Sequence, residues 1–253
     1  MVLFLAGTKT ARSDPLDQFY TKLGELNDQT DGPYRLEECD GRMEWPERGI
    51  YVFFDPDSNL NVDPPSEWSI SRIGTVGVSD GSSNTLWNRL RQHRGNTRGE
   101  RAGGGNHRGS IFRLHVGRAI IESEGLHDEF PYWGDSHRDD IPLETEALRE
   151  QEHPLEVRVS DYIRSLPFLV IDVPGAASKT SDRARLEKNL IGLVSQRRRS
   201  TPSIMRDGWL GHENPAPEIH RTGLWNIHHV TALYDGAIIS DVDHYIQQTD
   251  PIS

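Results

Sequence analysis

The chain has 253 residues, a formal net charge of −11 and 34% hydrophobic residues, which together predict an acidic, folded protein long enough to bury a sizeable core. Its single cysteine, Cys39, excludes an intrachain disulfide and a zinc site built from several cysteines, and it fits a reducing compartment. No stretch is as apolar as a membrane span requires, so we expect a cytoplasmic protein with no membrane partner.

The N-terminal part predicts one amphipathic helix over residues 13–29. Ser13 or Asp14 can cap this helix, and Pro15 suits its first turn. Its apolar residues recur at helical spacing on one face: Leu16, Phe19, Tyr20, Leu23 and Leu26. We expect this flank, residues 1–46, to add a layer to the domain that follows.

Three strands are predicted in the central part of the chain. Residues 49–55 are aromatic, β-branched and apolar on both faces, which is typical of a central strand. Residues 68–78 predict a second strand, and a hairpin is its simplest connection to the first. Residues 166–173 form a third apolar run that ends at a Pro-Gly pair.

Helices and loops fill the space between these strands. A helix is predicted over residues 84–93, with Asn84 as its cap, and a flexible loop rich in glycine and arginine follows over residues 94–109. The apolar spacing in residues 110–121 favours a helix, although a strand also fits. The acidic segment 122–156 is interpreted as a surface insertion.

The end of the chain predicts one more helix and a less regular region. Ser181 can cap a helix that runs to about residue 194. The C-terminal extension, residues 196–253, is expected to be folded but irregular and packed on the core. The fold class is therefore α+β: a small antiparallel sheet of about three strands flanked by helices, with a central domain over residues 47–195.

Charge is strongly segregated along the chain. Residues 86–118 contain eight arginines and one acid, and residues 183–199 contain five arginines and one lysine against one acid. Residues 122–156 carry twelve acids against two arginines. This pattern favours a polyanion-binding face on an acidic body. The alternative is a salt-adapted protein whose arginines lie in ordinary ion pairs.

Two short motifs carry a family resemblance. Gly49-Ile50-Tyr51 is followed about twenty residues later by Arg72-Ile73-Gly74, and this pair resembles the paired motif of the GIY-YIG nucleases. The segment with Arg89 and His93 is similar to the first helix of that family, and the segment with Glu187 is similar to its glutamate helix. The four matches follow the order of the family.

The resemblance implies a metal-dependent endonuclease that hydrolyses DNA phosphodiester bonds. In such a site Glu187 would bind Mg²⁺ (or Mn²⁺), and Tyr51 would lie near the attacking water. Arg89 would contact the scissile phosphate, since a guanidinium matches its geometry. His93 lies one turn after Arg89 on the same helix face, where it would assist proton transfer or hold the phosphate.

The sequence departs from the family pattern at two places. Arg72 stands where a tyrosine is usual; an arginine does not act as a base, so it would bind phosphate or orient Tyr51. The asparagine that commonly follows the glutamate helix has no clear match. Asn214 and Asn226 are the candidates, and we favour Asn226 because aromatic residues flank it.

The arginine-rich segment supplies the expected DNA contacts. They are predicted at Arg91, Arg94, Arg98, Arg101, His107 and Arg108. Two other functions stay open at this point: a nucleic-acid-binding module of the same fold that does not cleave, favoured by Arg72, and an acidic, salt-adapted interaction protein.

Overall fold

The computed structural model describes residues 14–55, 69–135, 141–200 and 208–253, without the side chains of 197–200. The helices are α1 (Pro15–Gln29), α2 (Leu86–Arg94), α3 (Ile111–Glu124), α4 (Thr145–Ser165), α5 (Asp182–Ser200), α6 (Pro217–Thr222) and α7 (Ile238–Ile246), with short 3-10 helices at His107–Gly109 and Leu210–Glu213. The strands are β1 (Tyr34–Arg35), β2 (Gly49–Phe54), β3 (Ile70–Thr75) and β4 (Pro167–Asp172).

The four strands form one antiparallel sheet in the order β1-β4-β2-β3. Every residue of β2 is buried, and β2 lies between β4 and β3, so the prediction of a central strand is confirmed. The predicted α+β class with a small antiparallel sheet is confirmed as well. The fourth strand, β1, is two residues long, which is too short for a recognisable alternating pattern.

The side chains of β2 alternate between two apolar layers. Ile50, Val52 and Phe54 belong to the layer that includes buried residues of α1, α5 and α7. Tyr51 and Phe53 belong to the opposite layer, with buried residues of α2, α3 and α4. Because successive side chains of a strand point to opposite faces, this register places Tyr51 on the side of α2.

The predicted starts of α1, α2, α3 and α5 agree with the structure to within about two residues, but α5 runs to Ser200 and not to about residue 194. Asp14 caps α1 by accepting a hydrogen bond from the Leu16 amide at 2.9 Å. The cap of α2 is Thr85 rather than the predicted Asn84, and its hydroxyl accepts from the Asn88 amide. Threonine and asparagine cap helices comparably well, so adjacent candidates do not fix the first turn. Ser13 and Trp68, where two predicted elements begin, lie outside the described residues.

The acidic segment does not lie wholly at the surface. Most of its second half is α4, which buries Leu148, Leu155, Val159 and Ile163 along one face. The high charge of the segment concealed this apolar stripe, whose members stand seven, four and four residues apart.

The C-terminal region is also more regular than expected. It contains α7, whose Ile238, Ile239, Val242 and Ile246 are buried in the layer beneath α1 and α5. A helix of nine residues has only about two turns, so its apolar periodicity is too short to be recognised with ease in the sequence.

Candidate active site

The two glycine-containing motifs meet across the β2–β3 pair. Tyr51 is the Cα partner of Gly74, and a Cβ atom at Gly74 would clash with the Tyr51 hydroxyl and ring. Gly49 is equally constrained, since a Cβ there would meet the Ile171 carbonyl oxygen of β4. The glycines thus allow close strand approach and leave space for one tyrosine ring.

A hydrogen-bonded chain runs from Tyr51 into α2 and α3. The Tyr51 hydroxyl lies 2.9 Å from His93 Nε2, and His93 Nδ1 lies 2.8 Å from Ser110 Oγ. Ser110 also caps α3 by accepting from the Arg113 amide at 3.3 Å. All three side chains are buried, so the chain orients both the histidine ring and the tyrosine hydroxyl.

His93 is held in its neutral form. Burial, and after it the positive charges of Arg89, Arg72 and Arg113, lower the pKa of His93 well below 6.5. At neutral pH one ring nitrogen therefore carries a proton and the other accepts a hydrogen bond.

Arg72 is buried beside the tyrosine. Its Nη1 donates to the Trp225 carbonyl, its guanidinium lies 4.9 Å from the Phe112 ring centroid, and it hydrogen-bonds to Tyr51. Only 5% of this residue is exposed, which favours the expectation that it orients Tyr51 over the expectation that it contacts phosphate.

Arg89 lies at the outer side of the same group. Its Nη1 donates to Gln92 Oε1 at 3.1 Å and to the Gly109 carbonyl at 3.3 Å. It is partly exposed, and its charge acts on both His93 and Glu187. The α2 helix therefore supplies one buried neutral base and one accessible cation, one turn apart.

Glu187 approaches the site from α5. Burial raises the pKa of Glu187 to about 7, against the opposing effects of Arg72, Arg89 and a hydrogen bond from the Thr75 backbone. No side chain in the described ranges forms a hydrogen bond or ion pair with its carboxylate. A surface ion pair with Arg183, four residues earlier, is not formed.

Arg183 is instead buried and structural. Its guanidinium donates only to backbone carbonyls: those of Val76, Gly77, Val173, Pro174 and Ala176. It stabilises the loops that join β3 and β4 to the following helices and forms no ion pair with Glu187.

Asn226 lies next to the site but uses its amide in the sheet. Its Oδ1 accepts from the Ile73 amide at 3.1 Å and its Nδ2 donates to the Ile73 carbonyl at 2.8 Å. The neighbouring Trp225 amide donates to the Ser71 carbonyl at 2.8 Å. This segment therefore pairs with the outer edge of β3, beyond which the described residues form no strand.

The residues predicted to bind DNA divide into two groups. Arg101, His107 and Arg108 are paired with carboxylates of α4, namely Glu146, Glu156 and Glu152. Arg91 and Arg98 are exposed and form no ion pair with a carboxylate of the described residues. Arg94 donates to the Cys39 carbonyl and stacks on Trp87.

In the second basic segment, residues 183–199, the two described arginine side chains are engaged, whereas Lys188 is exposed. Arg185 pairs with Asp182 and Asp241, and Arg183 is buried. The side chains of the arginines at 197–199 lie outside the described residues.

Ser110 was missed by the sequence analysis. Its position before an apolar helical run signals a cap, but nothing local indicates the contact with a histidine seventeen residues earlier. Within the described ranges, no group of three or more histidine, cysteine or carboxylate side chains is placed to hold a metal ion. None of the helices there is long and apolar enough to cross a membrane.

Fold and site together define the class of the protein, a nuclease-type α+β domain built on a paired glycine motif. The chain matches the family described as GIY-YIG domain over residues 10–252, and it belongs to this family of nucleases, in general endonucleases. The match includes both flanks of the central sheet. Comparison with curated protein sequences and with solved structures gave no significant match.

Proposed function

We propose that this protein is a metal-dependent endonuclease that hydrolyses DNA phosphodiester bonds in the cytoplasm. The observation that carries the proposal is the meeting of three elements at one place: the Tyr51–His93 pair, the Arg89 guanidinium and an unpaired, desolvated Glu187 carboxylate. Phosphodiester hydrolysis needs these parts: an oriented water, a cation at the phosphate and a ligand for a divalent ion.

The residues present fit Mg²⁺, or Mn²⁺ in its place. Glu187 offers carboxylate oxygens with no side-chain partner, and a nearby cation would offset the burial that raises its pKa to about 7. Mg²⁺ keeps most of its waters and accepts a site with a single protein carboxylate. When bound, such an ion would stabilise negative charge on the phosphate and the leaving oxygen.

The chain itself provides the orientation of the attacking water. Because His93 is neutral, it can donate Nε2–H to the Tyr51 oxygen while Ser110 donates its hydroxyl to Nδ1. With His93 and Arg72 both donating to the Tyr51 oxygen, the Tyr51 O–H is left to donate away from the histidine. Arg72, hydrogen-bonded to Tyr51 and to the Trp225 carbonyl, keeps the ring in position.

Arg89 is the phosphate ligand in this proposal. It is the accessible cation of the group, and its planar fork matches two phosphate oxygens. Its present acceptors, Gln92 and the Gly109 carbonyl, are neutral groups that a phosphate would outcompete.

A plasmid assay tests the proposal. Wild-type protein should nick supercoiled plasmid with Mg²⁺ and not with EDTA. Tyr51→Phe should lower the single-turnover rate by about 10²-fold, the scale of proton-transfer groups, with little change in melting temperature. Tyr245→Phe, which removes a tyrosine hydroxyl bonded to exposed Asp182, is the control and should cut normally.

A non-cleaving DNA-binding module is the competing function, and Arg72 in place of the usual tyrosine is the observation that favours it. Binding of plasmid without nicking under any divalent ion would establish that function instead. Full activity of Tyr51→Phe would remove the central residue from the proposed site.

A further inference from the structure

A polar cavity of about 510 Å³ opens between the end of α2 and the loop that follows it. It is lined by Arg91, Gln92, Arg94, Gly95, Asn96, Thr97, Arg98, Gly105, Asn106 and Gly109. Three of these residues are arginines and none is acidic, although the chain as a whole carries a net charge of −11. We call this cavity the arginine pocket.

The arginine pocket differs from the basic side chains just after it in sequence. Arg101 and Arg108 are neutralised by Glu146 and Glu152, and Arg113 is buried against Glu156. No carboxylate of α4 pairs with the three pocket arginines in the described ranges. The charge of Asp40 acts on Arg94, whereas Arg91 and Arg98 form no ion pair among the described residues, so positive charge concentrates in the pocket.

The pocket is continuous with the proposed active site. Arg89 donates its two side-chain hydrogen bonds to Gln92 and Gly109, and both of these residues line the pocket. A strand whose scissile phosphate lies at Arg89 would therefore bring a neighbouring phosphate to the pocket.

The walls of the pocket are held in place by backbone contacts. The Asn96 amide donates to the Gly104 carbonyl at 2.7 Å, and the Gly103 amide donates to the Asn96 carbonyl at 2.9 Å. Arg164 of α4 donates to the carbonyls of Arg94 and Asn96, each at 2.9 Å. The pocket is thus formed before any ligand binds, which lowers the entropy cost of binding.

We propose that the arginine pocket binds a second phosphate of the nucleic-acid substrate, adjacent to the scissile one. This inference rests on the proposed nuclease function. The recognising chemistry is guanidinium to phosphate from exposed Arg91 and Arg98, beside the fixed charge of Arg94. The phosphate belongs either to a continuous strand or to a strand end.

The test compares Arg91→Ala/Arg98→Ala with Arg158→Ala/Arg221→Ala. Both double variants remove two positive charges, but neither control residue lines the pocket; Arg158 pairs with Glu124 and Arg221 is exposed. Binding to a DNA duplex is measured in EDTA as a function of salt. We expect the pocket variant to bind about 10-fold more weakly, with a salt slope reduced by about 0.9 per lost phosphate contact.

Chemically altered strands locate the phosphate. A neutral methylphosphonate close to the cleavage position should weaken wild-type binding and leave the pocket variant unchanged. An effect seen only with a terminal phosphate would assign the pocket to strand ends. Equal losses of affinity in the two double variants would overturn the proposal.

Inorganic pyrophosphate separates this proposal from the nuclease function. It should raise the melting temperature of the wild-type protein and of the control more than that of the pocket variant, whether or not DNA is cut. Equal shifts of melting temperature in all three proteins would refute phosphate binding by the arginine pocket, even if the wild-type protein nicks plasmid. If the melting temperature shifts only when the pocket arginines are present, but the wild-type protein never nicks DNA, only the proposed nuclease function is refuted.

Discussion

Two glutamates, each on a helix and each beside basic side chains, behave in opposite ways. Glu156 on α4 accepts hydrogen bonds from the amide and ring of His107 and from the guanidinium of Arg113. Burial by itself raises the pKa of Glu156, but His107 and Arg113 outweigh it and lower the pKa. Glu187 on α5 has no such partners, and burial raises its pKa to about 7.

The difference separates a structural carboxylate from a functional one. The partners of Glu156 are supplied by the fold itself: Arg113 also donates to the His93 carbonyl and Ser160, and His107 stacks on Trp133. A desolvated carboxylate that no side chain of the described residues pairs with is destabilising, and such groups cluster at functional sites. We therefore expect removal of the charge to impair activity at Glu187 and stability at Glu156.

The largest effect is expected for Glu187→Gln, which keeps the shape and removes the charge. Mg²⁺-dependent plasmid nicking should fall to background, because the proposed metal ligand is lost. DNA affinity measured in EDTA should stay within a few-fold of wild type. Near-normal nicking by this variant would show that Glu187 is not needed for cleavage.

Glu156→Gln should act on stability. It leaves the fully buried Arg113 charge uncompensated, which costs about 3–5 kcal/mol of unfolding free energy. The matched control is Glu146→Gln on the same helix, whose exposed pair with Arg101 is worth less than about 1 kcal/mol. Urea denaturation measures the free energy of unfolding of both variants. Equal losses of stability would contradict a structural role specific to Glu156.

Arg89→Ala is expected to lower the turnover rate at saturating DNA by about 10²–10³-fold, the loss of one preorganised donor to the phosphate. Arg98→Ala, in the arginine pocket, should instead weaken binding and reduce its salt slope. Single-turnover kinetics across DNA concentrations distinguishes the two. If both variants lose only affinity, Arg89 belongs with the pocket and not with the catalytic group.

The stability of the metal-free protein should fall as pH rises from about 4.5 to 7. The folded state holds the Glu187 proton up to about pH 7, whereas the unfolded chain releases it near the ordinary value of 4.5. Stability therefore declines through this window, by about 3 kcal/mol, and levels off above it. Glu187→Gln should remove this component, and an unchanged pH profile would speak against the raised pKa.

The smallest effect is expected at Ser110, which acts through His93. Ser110→Ala should lower the nicking rate by roughly 10-fold, the scale of groups that orient a catalytic side chain. It also removes a helix cap worth about 1 kcal/mol. Ser181→Ala, which removes the hydroxyl that caps α5, controls for that loss. Ser110→Thr should restore the nicking rate. Equal nicking rates for Ser110→Ala and Ser181→Ala would show that Ser110 acts only as a helix cap.

Much of the fold follows from local pattern. The continuous apolar run of β2 and the apolar faces of α1, α2 and α5 lie within windows of a few turns or one strand, so the sequence predicts them. The paired glycine motif is readable for a similar reason: only glycine permits the close strand approach at Gly49 and Gly74. Tyr51 lies in that motif, whereas Arg89, His93 and Glu187 were predicted from two helical segments that resemble the family.

The tertiary structure decided which polar groups are paired. Arg98 and Arg101 look equivalent in the sequence, yet only Arg101 meets a carboxylate, and that carboxylate comes from a helix 45 residues later. Ser110 reaches His93 across 17 residues of sequence, and Asn226 reaches Ile73 of β3 across 153. Hydrophobic periodicity is encoded locally, whereas a charge or hydroxyl finds its partner wherever the packed elements bring one within about 3 Å.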